Sequence, residues 1–139
     1  MSLTVSIITP ERAWEPMPAD SVTLPAFDGE IGILSRHAPL LTQLGTGRLV
    51  IKRRSEADHG YALRGGVAQV LDDEVRILAE SVVDTADVTE TDLVRQLKEL
   101  DEADYDDELE EAGARSKAHW IATQLRSKGK EVPSLKKLG

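Results

Sequence analysis

The stretch EVRILAESVVDTADVTETDLVRQLKEL, residues 74–100, contains the point at which the hydrophobic pattern of the chain changes. Up to Asp84 it has the β-branched and aliphatic residues of a strand. Beyond that point, Thr89 is followed three residues later by an acidic residue, an arrangement typical of a helix N-cap. Apolar residues then recur at helical spacing, at Leu93, Leu97 and Leu100. The change predicts a β domain over residues 1–84 and a helical domain over residues 85–139.

Short segments typical of strands recur through the first domain. LTVSIIT, at the start of the chain, alternates Leu3, Val5 and Ile7 with residues of the opposite face, and Pro10 closes it. The further candidate strands are SVTL (21–24), EIGIL (30–34), GRLVIKR (47–53), GYALR (60–64), GVAQVL (66–71) and EVRILAESVV (74–83). Glycine, proline or acidic turns separate nearly all of them. Several short strands at this spacing predict an antiparallel sandwich or barrel.

A second helix is predicted after the acidic stretch DEADYDDELEE, residues 101–111. Its apolar face consists of Ala114, Ala118, Ile121 and Leu125. Lys128 and Gly129 form a plausible C-terminal stop, and a loose tail is expected from about residue 130. Because leucines that face alanines bury little surface, the hairpin alone should be marginally stable. It should therefore need the sandwich or a partner to pack against, which is what a conformational switch requires.

Composition and charge exclude several classes of function. The chain has 139 residues, of which 40% are hydrophobic and 30% charged, as in a globular protein. It has no cysteine, which excludes disulfides, thiolate nucleophiles and cysteine-ligated metal centres. The net charge of -8 argues against a nucleic-acid partner. Residues 85–112 carry 12 acidic and 2 basic side chains, whereas residues 113–139 carry 1 acidic and 7 basic. We expect neither a membrane span nor a signal peptide.

One loop histidine is the sharpest candidate for chemistry. GEIGILSRHAPLL, residues 29–41, places His37 beside an Ala-Pro pair. Such a residue could be a general base, a metal ligand, a structural loop residue or a contact for another protein. His59 and His119 lie in other elements, and no spacing of serine or aspartate suggests a triad. The pattern therefore favours a structural or partner-contacting residue.

Two other motifs also have simpler interpretations. GTG at 45–47 and RGG at 64–66 lack the spacing of phosphate-binding loops, and we interpret them as turns between strands. The acidic stretch lacks the ligand order and glycine of a calcium-binding loop. It is interpreted as the solvated start of a helix, where negative charge meets the positive end of the helix dipole. No metal or other cofactor is expected.

Four segments together resemble the epsilon subunits of F-type ATP synthases. They are ITPER (8–12), LPAFDGEIGILSRHAPLLTQLGTG (24–47), ALRGGVAQV (62–70) and VRILAE (75–80). The resemblance implies a mainly β fold with an α appendage: a flattened ten-stranded antiparallel β-sandwich followed by a two-helix antiparallel hairpin. It also implies a non-catalytic rotor subunit that couples proton-driven rotation of the c-ring to ATP synthesis. Such a subunit would be a monomer when isolated and would lie, in a bacterium, at the cytoplasmic face of the plasma membrane, held there only through the complex.

The resemblance also implies roles for particular residues. Gly29, Glu30, Ile31 and Gly32 would contact the c-ring. His37, Ala38, Pro39 and Leu40 would contact the gamma subunit. The basic residues Arg115, Lys117, Arg126 and Lys128 would meet the catalytic head, formed by the beta and alpha subunits, and inhibit ATP hydrolysis.

Two alternatives to a rotor subunit follow from single motifs. Asp92 and Arg95 match a nucleotide-binding motif of some family members, whereas Thr91 and Gln96 depart from it. A free nucleotide-sensing β-sandwich module is therefore the first alternative. A small hydrolase that uses His37 and nearby carboxylates is the second.

Overall fold

The computed structural model describes residues 2–138, which form seven strands and two α-helices. The strands are β1 (Leu3–Ile8), β2 (Met17–Ala19), β3 (Ser21–Ala26), β4 (Gly29–Leu34), β5 (Leu40–Lys52), β6 (His59–Leu71) and β7 (Glu74–Asp84). A short 3-10 turn, Thr85–Asp87, leads to the helices α1 (Glu90–Glu102) and α2 (Glu108–Ser127).

The strands form a sheet in the order β2-β1-β7-β6-β5-β3-β4. Neighbouring strands are antiparallel with one exception, since β1 runs parallel to β7 and pairs Val5 with Val75. The predicted fold class, a β-sandwich followed by a helical hairpin, is confirmed. The sheet has seven continuous strands where the resemblance implied ten, and one of its pairs, β1 with β7, is parallel in a sandwich expected to be antiparallel.

The core follows the alternation that the sequence predicts. Leu3, Val5 and Ile7 of β1 are fully buried, whereas Thr4 and Ile8, on the opposite face of the strand, are exposed. They join one apolar cluster with residues of most other strands, including Leu24, Ile33, Leu49, Leu63, Val75 and Ile77. Burial of aliphatic side chains on one face of each strand is the main stabilising contribution to this domain.

Three long strands account for the difference in strand count. β5, β6 and β7 keep one pairing register along their lengths. Partway along each strand, however, the core-facing side chains change from one face of the strand to the other. In β6, Tyr61 and Leu63 are buried before the change and Ala68 and Val70 after it. Gly66, with φ 121°, lies between them. Counting each bent strand as two segments gives the expected ten.

The interpretation of the two glycine motifs as turns is wrong for this reason. GTG lies inside β5 and RGG inside β6, and Leu44 pairs with Gly66 across the two strands. Gly66 must lack a side chain, because a Cβ built there would lie 2.0 Å from the carbonyl oxygen of Leu78.

The helix starts are capped by side chains. The Thr89 hydroxyl accepts a hydrogen bond from the backbone N–H of Asp92 at 3.2 Å, as the sequence predicts. Asp107 caps α2 in the same way and accepts from Glu110 N at 2.8 Å. The acidic residues that follow Asp107 occupy the first turn of α2, as expected. The expectation of a solvated helix start is wrong for Asp101, which lies buried in the last turn of α1.

The hairpin buries its predicted faces. The apolar cluster of α1 and α2 contains Leu93, Leu97, Ala114, Ala118, Ile121 and Leu125, with Leu100 partly buried beside it. The second helix ends at Ser127 with Lys128 as its C-cap, and Gly129 adopts φ 76° after it. α2 also contacts β5 and β6, so the hairpin packs on the sandwich.

The tail differs from the expectation. Val132, Leu135 and Leu138 pack against the apolar cluster of the two helices, and Leu138 is buried. The segment is not loose, because it supplies the apolar surface that the hairpin by itself lacks.

Candidate functional site

The loop that carries His37 follows the edge strand β4 and is fastened to a distant turn. Arg36 has φ 67°, a conformation that costs a residue with a side chain. The carboxylate of Asp73, in the turn between β6 and β7, accepts from Arg36 N at 2.6 Å and from the Ser35 hydroxyl at 3.2 Å. The Asp73 carbonyl accepts from Thr4 N at 2.9 Å. One residue thus joins the loop, the β6–β7 turn and the first strand.

His37 itself has surroundings unlike those of a catalytic base. Its ring Nδ1 lies 2.7 Å from the carbonyl oxygen of the next residue, Ala38. His59 instead contacts Asp84 at 2.8 Å, and His119 lies on α2, so the three histidines are not brought together. Within residues 2–138, no group of three or more histidines and carboxylates is placed to hold a metal ion. We refer below to residues 35–40 as the lip.

The predicted c-ring segment forms the first half of β4, at the edge of the sheet. Gly29, Glu30 and Gly32 are exposed, while Ile31 is partly buried against the core. β4 pairs with β3 on one side and is the last strand in the sheet order. A side chain added at Gly29 or Gly32 would meet no atom within 4 Å, so another molecule has open access to this backbone.

Glu30 has neighbours that its position in the sequence does not suggest. With Arg48 of β5 and His119 and Arg126 of α2, it lines a groove of about 300 Å³. The structure thus brings one predicted c-ring residue and one predicted inhibitory residue to the same groove.

An exposed apolar surface lies on the side of the sheet that faces away from the core, across β1, the first part of β7 and the second part of β6. Val67, Leu78 and Ile8 are aligned across β6, β7 and β1 and are 40%, 50% and 43% exposed. Leu41 and Leu71 lie on the same side of their strands, since the neighbouring Leu40 and Val70 face the core. We call Ile8, Leu41, Val67, Leu71 and Leu78 the open face.

Sequence reasoning missed the open face, although a signal was present. In VRILAE and SIIT, adjacent positions are both aliphatic, as at Ile77 and Leu78 or Ile7 and Ile8. A half-solvated strand alternates apolar with polar residues, so apolar residues on both faces indicate that the outer face also has a partner.

α2 covers the outer side of the second part of β5 and the first part of β6. Val50 and Ala62 point away from the core, because their neighbours Leu49 and Leu63 face it. Both are nevertheless buried. A Cβ at Gly60 would lie 3.3 Å from the carbonyl oxygen of Ser127, which shows how closely the helix approaches. The sandwich residues at this point of the contact, Val50, Gly60 and Ala62, are small, so the apolar stabilisation there is modest. Trp120 of α2 adds a cation-π contact, with the Arg64 guanidinium 5.1 Å from its ring centroid.

The four predicted inhibitory residues have different surroundings. Arg115 forms an ion pair with Glu111 at 3.1 Å, and Lys117 is exposed on α2. Arg126 is exposed at the groove of Glu30. The Lys128 ammonium donates to the carbonyl oxygen of Thr85 at 2.6 Å, at the junction of the sandwich and the helices.

The structure brings the predicted nucleotide-binding pair together, but each charge already has a partner. Arg95 forms ion pairs with Asp92 and, at 2.8 Å, with Glu99. Hydrogen bonds from Arg95 and Gln96 hold the pKa of Asp92 below its ordinary value, and those to Asp92 and Glu99 raise the pKa of Arg95. A nucleotide phosphate would have to compete with both carboxylates for Arg95. The nucleotide-sensing alternative therefore stays a prediction without support from this geometry.

Comparison with known proteins identifies the class to which this fold belongs. Residues 2–85 match the family model described as "ATP synthase, Delta/Epsilon chain, beta-sandwich domain". The ATP synthase epsilon chain of Mesorhizobium japonicum is 34% identical over 121 residues, which cover 86% of this chain and 87% of the relative. That of a Nostoc species is 48% identical over 79 residues, covering 56% of this chain and 58% of the relative.

The chain belongs to the epsilon-chain family of the ATP synthases. It is thus a non-catalytic rotor subunit and not a hydrolase built on His37. Relatives include both bacterial chains and a chloroplast chain from Chlamydomonas reinhardtii, which is 38% identical over 93 residues.

A solved structure agrees in fold. A chain of the Euglena gracilis mitochondrial ATP synthase superposes with a TM-score of 0.74 and 21% identity, covering 91% of this chain and 81% of that one. Neither helix of the described residues is long and apolar enough to cross a bilayer.

Proposed function

We propose that the chain binds the gamma subunit of its synthase through the open face and the lip, and transmits rotation of the c-ring to the central stalk. The observation that carries this proposal is the contrast between the two outer surfaces of the sandwich. α2 covers one surface, whereas the other exposes five aliphatic side chains in neighbouring strands. Ile8, Leu78 and Val67 are direct neighbours across three strands, and exposed aliphatic surface of this kind is typical of a protein-binding site.

The lip continues this surface. Leu40 at its end pairs with Val70, and Leu41 of the open face follows directly. Because Asp73 accepts hydrogen bonds from the backbone N–H of Arg36 and from the Ser35 hydroxyl, little conformational freedom is lost when a partner binds there. Residues His37, Ala38 and Pro39 thus form a preorganised rim for the gamma subunit, and Leu40, which packs against the core, anchors this rim to the sandwich.

The edge strand β4 is the proposed contact with the polar loops of the c-ring. Its exposed glycines allow close backbone approach, and its outer edge has no neighbouring strand among the described residues. In this proposal the chain is attached to the membrane only through the complex, at the cytoplasmic face in a bacterium.

Calorimetric titration of the purified chain with its cognate gamma subunit tests the proposal. We expect a one-to-one complex and at least a tenfold weaker affinity for Leu78→Glu, because a carboxylate would be desolvated in an apolar interface. Leu109→Glu is the matched control, since Leu109 is 83% exposed on α2. An absence of binding by the wild-type chain, or equal affinities for the two variants, would overturn the proposed interface.

Inhibition of ATP hydrolysis by the hairpin is a second candidate function. It is favoured by the small sandwich residues under α2, Val50, Gly60 and Ala62, which limit the apolar surface that becomes exposed when the helix separates. Once separated, Arg115, Lys117, Arg126 and Lys128 would be available to an acidic segment of the catalytic head. Hydrolysis by the complex should rise when the full chain is replaced by one truncated after Asp84, and an unchanged rate would exclude inhibition.

A further inference from the structure

The last described residues run alongside α1 for almost its whole length. Near the first turn of the helix, the Lys130 ammonium lies 3.8 Å from the carboxylate of Glu90. At the last turn, the backbone of residues 136–138 reaches the side chain of Asp101. The tail is therefore a third element of the helical unit.

Asp101 binds this segment with both carboxylate oxygens. Oδ2 accepts from Lys136 N at 2.7 Å, and Oδ1 accepts from Lys137 N at 2.7 Å and from Leu138 N at 3.0 Å. Asp101 is only 7% exposed. A carboxylate in the last turn of a helix faces the negative end of the dipole, so it is unfavourable there unless donors from elsewhere satisfy it. The three N–H groups are those donors.

Apolar contacts accompany these hydrogen bonds. Val132, Leu135 and Leu138 pack against the cluster formed by α1 and α2, and Leu138 is buried. Since the facing residues of α2 include two alanines, these three side chains are a substantial part of the apolar surface that holds the helices together.

The tail also contacts both helices at polar positions. The Lys137 ammonium donates to the carbonyl oxygen of Ala103 at 3.3 Å, directly after α1. The Arg115 guanidinium of α2 lies 3.5 Å from the carbonyl oxygen of Lys137. Separation of α1 from α2 would therefore break contacts that the tail makes with each of them.

We propose that residues 130–138 are a latch that holds α1 and α2 in their antiparallel arrangement, and that the carboxylate of Asp101 is its catch. The helices separate only after the backbone of residues 136–138 leaves Asp101. A further consequence, that the latch limits inhibition of hydrolysis, rests on the proposed inhibitory function.

Two substitutions remove hydrogen bonds between Asp101 and the tail, one by changing the acceptor and one by removing a donor. Asp101→Asn keeps the shape but turns an amide N–H toward at least one backbone donor. Lys136→Pro removes the donor to Oδ2, and Lys136→Ala is its control because the Lys136 side chain is exposed. Glu102→Gln, one residue along α1 and exposed, is the control for Asp101→Asn.

Amide hydrogen exchange of the full-length chain measures the latch directly. We expect the N–H groups of Lys137 and Leu138 to be protected in the wild type and in both controls. In Asp101→Asn and in Lys136→Pro they should lose about tenfold or more of that protection. Because the chain has no cysteine, spin labels at Lys98→Cys and Lys117→Cys can report the distance between the helices in the same variants. The distribution of label-to-label distances should broaden when the hydrogen bonds to Asp101 are broken.

The outcomes separate the latch from the proposed inhibition. Unchanged protection and an unchanged distance in both catch variants would overturn the latch, whatever the hydrolysis rate. If both measurements change but the rate of ATP hydrolysis by the complex does not, the latch stands and the inhibitory function fails. Lys136→Pro lies outside the helices and therefore tests the latch even if Asp101→Asn destabilises α1.

Discussion

Asp73 accepts a hydrogen bond from the backbone N–H of Arg36 at 2.6 Å, although 37 residues separate the two. Asp73 itself has φ 62°, and Arg36 has φ 67°. Two residues in an unfavourable backbone conformation thus stabilise each other where the lip meets the β6–β7 turn. This contact makes the lip a fixed part of the sandwich, as the proposed contact with the gamma subunit requires.

Asp73→Gly tests that role. Glycine tolerates the positive φ but removes the carboxylate, so the lip should lose two hydrogen bonds, worth about 1–3 kcal/mol in total. We expect weaker binding of the gamma subunit, measured by calorimetry. Asp72→Gly is the control, because Asp72 also has a positive φ, 49°, in the same turn. If both variants bind equally well, the lip does not depend on Asp73.

Two glycine substitutions should have opposite effects on stability. Gly66→Ala places a Cβ 2.0 Å from the carbonyl oxygen of Leu78 at φ 121°, and should lower the free energy of unfolding by about 3 kcal/mol or more. Gly113→Ala lies in α2 with no atom within 4 Å of the new Cβ, and should raise it by about 0.5–1 kcal/mol. Urea unfolding measures both, and a tolerated Gly66→Ala would contradict the close approach of β6 and β7.

Truncation after Asp84 should leave a folded sandwich. The helices cover Val50 and Ala62 on its outer surface but contribute nothing to its main apolar cluster. We therefore expect a cooperative urea transition and a β-type circular dichroism spectrum, with reduced stability. An unfolded fragment would show that the sandwich depends on the hairpin.

The latch should lose stability at acid pH. Hydrogen bonds from the backbone of Lys136, and then of Lys137 and Leu138, hold the pKa of Asp101 below its ordinary value of 3.8. Because the folded-state pKa is the lower one, the stabilisation is complete above the ordinary value and is lost as pH falls through the lowered pKa.

Urea midpoints measured from pH 6 down to pH 2 check this dependence. The difference in midpoint between wild type and Asp101→Asn should be constant above about pH 5 and should shrink at lower pH. A difference that stays constant over the whole range would show that the charge of Asp101 is not what binds the tail.

Local patterns in the sequence were sufficient for much of the fold. The alternation at Leu3, Val5 and Ile7, the cap at Thr89 and the apolar face of α2 each depend on residues close in sequence, and the structure contains all three. The family resemblance rested likewise on contiguous motifs, and the comparisons confirm it.

The features that the sequence did not indicate depend on distant residues. Gly66 lies inside a continuous strand because it pairs with Leu44 of β5 and Ala79 of β7, whereas a glycine pair met in the sequence alone is typical of a turn. The tail, rich in lysine, gives no helical or strand pattern, and its order comes from Asp101, 35 to 37 residues earlier. Paired aliphatic residues such as Ile77 and Leu78 indicate that an outer face has a partner, but which outer surface stays exposed depends on where α2 packs.

ATP-driven proton pumping by membranes depleted of their own epsilon chain tests the central claim most directly. Addition of the wild-type chain, or of Leu109→Glu, should restore pumping, while Leu78→Glu should restore little of it at the same concentration. Failure of the wild-type chain to restore coupling, or full restoration by Leu78→Glu, would contradict a rotor subunit that binds through the open face.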